Sequence, residues 1–254
     1  MWNKRTNLKG FTLAEVLITL GIIGVVAALV MPPLIQNYRE KEMVTRLKKA
    51  YSVLSTAYNS AICENGTADT WGYVSTYTLP NATLTFEMFK PYLNIAKDCK
   101  GALGCFSKIG KAGGYKSING QVSAASGVGY IDYGTVYNII LNDGMSVSFS
   151  SYGTSGFSYG PDMIIRNVVT VDVNGNKKGP NQWGIDTFSF LLTDKGALVP
   201  RGAPEVTRVD SKFPEACSVA ANDGSACAGW AISNENLDYL HCDDLSWNGK
   251  TKCK

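Results

Sequence analysis

The chain has 254 residues, of which 24 are Lys or Arg and 21 are Asp or Glu, giving a formal net charge of +3. Three of the basic residues (Lys4, Arg5 and Lys9) precede residue 11, so the remainder is balanced at 21 against 21 and makes no electrostatic case for nucleic acid. One histidine, no nucleophile elbow, no phosphate-binding glycine loop and no paired carboxylates in an apolar setting leave little from which to build a catalyst, so no enzyme is expected.

In chain order, Lys9-Gly10-Phe11-Thr12-Leu13-Ala14-Glu15 leads into an apolar run from Val16 to Ile35. Phe11 to Ile35 is long enough to cross a bilayer as a tilted helix. The three basic residues before it place the N-terminus on the cytoplasmic side by the positive-inside bias. A carboxylate in lipid is costly, so Glu15 needs a partner and a purpose. An ordinary signal peptide has a shorter apolar core and does not want a charge at its start. A plain signal anchor explains the length but not the placing of Gly10, Phe11 and Glu15.

Residues 10–15, a Gly followed by Phe-Thr-Leu-x-Glu, resemble the leader boundary of the type IV pilin-like proteins, that is, pilins and type II secretion pseudopilins. The likeness covers residues 4–35 closely. It implies a leader over 1–10, cleavage by a prepilin peptidase between Gly10 and Phe11, and methylation of the new Phe11 amine. It also implies an assembly helix over 11–35 and a single-pass inner-membrane protein with its head in the periplasm. In a filament the Glu15 carboxylate would neutralise the Phe11 ammonium of a neighbouring subunit, so that neither charge is buried alone. The implied partners are other pilin-like subunits, the peptidase, the inner membrane and a secretion or pilus assembly platform.

Pro32-Pro33 should kink or break the helix. Beyond it, Met43, Leu47, Ala50, Leu54, Ala57 and Ala61 recur at steps of four and three, predicting an amphipathic continuation over 36–63 that lays one stripe on its own head. Arg46, Lys48 and Lys49 read as a solvated face. The Glu64-Asn65-Gly66 turn ends the helix. Residues 64–254 form the head, with a short helix around 84–93 and loop over 101–129. Strands are predicted at 136–141 and 145–150, flanking Asn142-Asp143-Gly144, then at 164–173 and, half-buried, at 187–192. Three or four antiparallel strands against one long helix give an α+β, pilin-like architecture. Residues 204–254, with a short helix near 236–240, read as a flap over the sheet.

The seven cysteines lie at 63, 99, 105, 217, 227, 242 and 253, on the exported side, where disulfides are expected. Pairing six of seven allows about 105 arrangements. Loop length favours Cys99–Cys105, Cys217–Cys227 and Cys242–Cys253 with Cys63 left over. The absence of any Cys-x-x-Cys pair, with His241 as the sole histidine, argues against zinc. His241 reads as a surface residue near a disulfide. The stretch 172–186 places Asp172, Asn174, Asn176 and Asp186 where they offer oxygens to Ca2+, but Lys177 stands where an EF-hand has Gly and no Glu closes the loop. A plain Asn-Gly hairpin turn is the equal alternative. Calcium favours a secretion pseudopilin and the long cysteine-closed C-terminal region favours a pilin; the reading leans narrowly to secretion, with adhesion, motility or DNA uptake as the alternative and a signal-anchored envelope protein behind both.

Overall fold

The computed structural model describes residues 12–74, 77–102, 104–106, 115–121, 134–154 and 156–253. Contacts divide the chain into two units, 1–39 and 40–254. Helix α1, Leu13–Asn65, begins in the first and ends in the second.

In the first unit α1 is apolar and exposed, with Leu17, Ile18, Ile22, Ile23 and Leu29 all open to solvent. It is the one helix among the described residues that is long and apolar enough to cross a membrane. Of the kink or break expected at Pro32-Pro33, the break is absent: both prolines sit inside continuous helix. Each proline removes one hydrogen bond to the preceding turn, and the bonds on either side carry the helix across.

The second unit is built on an antiparallel sheet. Its strands are β1 Ile95–Lys100, β2 Tyr137–Leu141, β3 Ser146–Ser151, β4 Phe157–Gly160, β5 Met163–Asp172, β6 Thr187–Thr193 and β7 Leu198–Pro200, in the order β1-β2-β3-β5-β6-β7, with β4 pairing the start of β5. This exceeds the expected three or four. The four predicted strands are its centre (β2, β3, β5 and β6), and β1, β4 and β7 were not anticipated. Helix α2, Leu79–Phe89, starts five residues earlier than predicted because Thr78 caps it and Pro80 occupies its first turn. Helix α3, Ala228–Asn234, was also unforeseen, while the helix expected near 236–240 is a single 3-10 turn at Asp238–Leu240. Most of the expected loop over 101–129 lies outside the described residues.

Period-two alternation decides which residues meet α1. Val147 and Phe149 of β3, Val169 and Val171 of β5, and Phe188, Phe190 and Leu192 of β6 share one core with Leu47, Ala50, Leu54, Ala57, Tyr58 and Ala61 of the helix. Tyr51 stacks on Phe190, and the Tyr58 hydroxyl donates to the Thr193 carbonyl at 2.7 Å. The predicted half-burial of β6 is corrected: all seven of its residues are buried. Its other face is covered by a second cluster in which Leu191 packs with Val199, Ala203, Val206, Tyr152 and Tyr159.

The basic face of α1 is solvated as expected, with Lys48 and Lys49 exposed and Arg46 partly so, and it also forms ion pairs. Lys48 pairs with Glu235 of the C-terminal region and Lys49 with Asp143 of the β2–β3 turn at 2.8 Å, while Arg46 pairs with Glu42 one turn away. Each pair is at least partly exposed and adds at most about 1 kcal/mol. His241 Nε2–H donates to the Glu40 carboxylate at 3.0 Å, beside the Cys242–Cys253 disulfide.

The C-terminal region seats against β7 through a close backbone crossing. A Cβ on Gly202 would stand 1.8 Å from the Ala226 carbonyl oxygen, and one on Gly229 would stand 2.2 Å from the Ala203 nitrogen. Gly202 also has φ +88°, which L side chains rarely adopt. Gly202→Ala is therefore expected to cost about 3 kcal/mol or more, read as a fall in melting temperature with loss of the Trp230 environment. An unchanged melt would mean that the crossing is not needed to dock the region.

Candidate functional site

Two places carry chemistry, and each is described within its own unit. At the start of α1, the Thr12 backbone N–H and hydroxyl both donate to Glu15 Oε2, at 2.8 and 2.7 Å, and the Glu15 N–H donates back to Thr12 Oγ1 at 3.3 Å. This is the reciprocal arrangement of a capping box, formed here by Thr12-Leu13-Ala14-Glu15. It satisfies helix-start N–H groups and gives the Glu15 carboxylate a partner within its own chain. Gly10 and Phe11 lie outside the described residues.

The second place is the turn joining β5 to β6. Asp172 ends β5 and Asp186 precedes β6, both fully buried. Asp172 Oδ1 accepts from the N–H groups of Asn174 and Gly175, at 3.2 and 2.8 Å, and its Oδ2 accepts from the Tyr115 hydroxyl at 2.5 Å. Asp186 Oδ1 accepts from the Gln182 N–H at 2.6 Å and from the Thr187 hydroxyl, and its Oδ2 accepts from the Asn181 N–H at 2.8 Å and from Asn174 Nδ2 at 3.3 Å. A Cβ at Gly175 would meet the Gly144 carbonyl oxygen at 2.3 Å, so this turn and the β2–β3 turn abut.

Asp172, Asn174 and Asp186 are thus brought together, as the sequence suggested. Asn176 takes part through its carbonyl, which accepts from Asn181 Nδ2 at 3.0 Å. Tyr115 and Asn181 were missed, because nothing in the sequence ties a tyrosine near residue 115 to this turn. Among the described residues no group of three or more His, Cys, Asp or Glu is placed to hold a metal. Calcium takes six to eight oxygens. Here two carboxylates have all four oxygens engaged by N–H and O–H donors, and the buried Asn174 Oδ1 is without a partner. The hydrogen-bonded turn accounts for each of these carboxylate contacts without a cation.

No Lys, Arg or His within ion-pair distance of Asp172 or Asp186 appears among the described residues. Burial, reinforced by the charge of Asp186, pushes the Asp172 carboxyl up to about 7, and burial raises Asp186 too. Burial and the facing Asp172 hold the Tyr115 hydroxyl well above its ordinary range.

The three disulfides join Cys99 to Cys105, Cys217 to Cys227 and Cys242 to Cys253, with Cys63 free and exposed at the end of α1.

Residues 5–31 match the prokaryotic N-terminal methylation motif, and residues 33–97 match a family of unknown function, DUF6613. Two sequences described as fimbrial protein, from Pseudomonas aeruginosa, are each 32% identical over 124 residues, which is 46% of this chain and 78% of the relative. The chain belongs to the type IV pilin-like family. The aligned length exceeds the 65 residues up to the end of α1, so the similarity of this pilin-like chain to the fimbrial proteins extends into the head. No solved structure matches it.

Proposed function

We propose that this pilin-like subunit is processed between Gly10 and Phe11 by a prepilin peptidase, methylated on Phe11, held in the inner membrane by α1, and polymerised into a fimbria-like filament. The observation that carries this reading is the methylation motif over residues 5–31, of which the described part from Leu13 on is an exposed apolar helix. Such a helix is stable in lipid before assembly and among its own kind after it. The role is structural: Glu15 serves assembly, not catalysis, and its partners are neighbouring subunits, the peptidase and the assembly platform.

Between a surface pilus and a secretion pseudopilus, the fimbrial similarity and the cysteine-closed C-terminal region support the pilus. The case for secretion rested on calcium at 172–186, where the carboxylates already have protein donors. Calcium at that turn is a proposal that chelation tests.

Mass spectrometry of the N-terminal peptide, after expression with a prepilin peptidase, is expected to find a chain beginning at methylated Phe11. An uncut Met1, or a cut beyond Ile35, would return the protein to the anchored or secreted class. Immunogold labelling of surface filaments then separates a pilus from a periplasmic secretion fibre, which would leave the surface unlabelled.

A further inference from the structure

Asn-x-Ser/Thr, the acceptor sequence for N-linked glycan, occurs twice, at Asn65-Gly66-Thr67 and Asn81-Ala82-Thr83. The structure separates the two. Asn81 is 1% exposed, lies in the first turn of α2, and its Oδ1 accepts from the Val74 N–H at 3.1 Å. No enzyme reaches that amide without unfolding the helix start.

Asn65 is the last residue of α1 and is exposed, as is Gly66, with Thr67 half-exposed and extended at φ −71°, ψ 154°. Its side-chain nitrogen donates within its own helix, to the Ala61 carbonyl at 3.0 Å. Thr67 stands at the start of the 3-10 turn Ala68–Thr70, where a threonine hydroxyl ordinarily caps, yet it makes no side-chain cap bond. The amide that reacts and the hydroxyl that an acceptor site requires are both presented at a helix end, where local opening is cheap. Three disulfides in the same unit suit an exported compartment.

We propose that Asn65 is an N-glycosylation site, taking an oligosaccharide from a lipid diphosphate donor through a membrane oligosaccharyltransferase. Asn65 Nδ2 forms the bond to the sugar C1, and the bond from C1 to the diphosphate oxygen breaks. That oxygen keeps the electron pair and the lipid diphosphate accepts the amide proton, so no oxidant or reductant is required. This inference rests on the reading of the head as exported.

The test is fragmentation mass spectrometry of the peptide carrying both asparagines, from full-length protein purified from its native membranes. The expected result is a glycan on Asn65 and none on Asn81, lost completely in Thr67→Val and retained in Thr67→Ser. A bare Asn65 in a chain that begins at methylated Phe11 overturns this inference alone. A bare Asn65 in a chain still beginning at Met1 removes the assembly reading with it. A glycan that survives Thr67→Val, or one found on Asn81, also overturns the assignment.

Discussion

Thermal melts of the full chain from about pH 4 to about pH 8 are expected to show the natural protein losing stability relative to an Asp172→Asn variant as pH rises. Among the described residues no Lys, Arg or His pairs with Asp172, and its carboxyl is raised from 3.8 to about 7 in the folded chain, chiefly by burial. A raised acid holds its proton when folded and loses it when unfolded, across the interval between the two values. The stability of the neutral buried form is therefore complete below about pH 4, declines toward pH 7, and is gone above it. At about 1.4 kcal/mol per unit the difference reaches the order of 4 kcal/mol by pH 8. Asn at 172 keeps an oxygen for the N–H groups of Asn174 and Gly175 and has no proton to lose. Asp210, Glu235 and Asp244 are lowered by their basic neighbours, which works in the opposite direction, but they contribute equally to both proteins. Parallel curves would show that the pair is neutralised some other way. Calcium that raises the natural protein's melting temperature at pH 8, reversed by chelator and absent in Asp172→Asn, would assign that neutralisation to a cation.

What the sequence revealed follows from how each element is stabilised. The step of four and three from Met43 to Ala61 is a long signal, and every residue in it is buried. Strands β2, β3, β5 and β6 are read from β-branched and aromatic runs because they form the sheet's centre. Strand β1, Ile-Ala-Lys-Asp-Cys-Lys, is mostly exposed, charged and irregular in register, the features that protect an edge from further pairing and also hide it from pattern reading. Strand β7 is three residues long, too short for any alternation. Helix α3 contains Gly229, Ser233 and Asn234, none of them a strong helix former, and is held by Trp230 against Phe213 at 4.1 Å between ring centroids. Tertiary contact makes that helix.

The same distinction applies at the candidate site. Asp172, Asn174 and Asp186 were legible because they are close in sequence. Tyr115, which closes the turn from 57 residues away, was not, since a long-range hydrogen bond leaves no local pattern. The partners of the exposed α1 lysines were not legible for the same reason. Glu235 and Asp143, which pair with Lys48 and Lys49, are brought there only by the fold.

Glu15→Gln is expected to abolish incorporation into filaments while leaving the subunit processed and inserted in the membrane. This substitution is more informative than Glu15→Ala, because the glutamine oxygen still accepts from the Thr12 N–H and hydroxyl, so the capping box survives. Only the charge is lost. Without it the Phe11 ammonium of the neighbouring subunit is buried alone, and breaking one half of a buried ion pair costs about 3–5 kcal/mol. Incorporation should then fall by a factor of about 100 or more. Glu15→Ala removes the cap as well, at a further cost of about 1 kcal/mol to the helix start, and Thr12→Val isolates most of that smaller effect. The ordering separates two accounts of the same residue. If Glu15 serves chiefly to cap its own helix, glutamine assembles and Thr12→Val fails. If it serves to neutralise a neighbour, glutamine fails and Thr12→Val assembles at reduced yield. The second outcome is expected, because the capping bonds are already complete within a single chain and leave the charge itself unaccounted for.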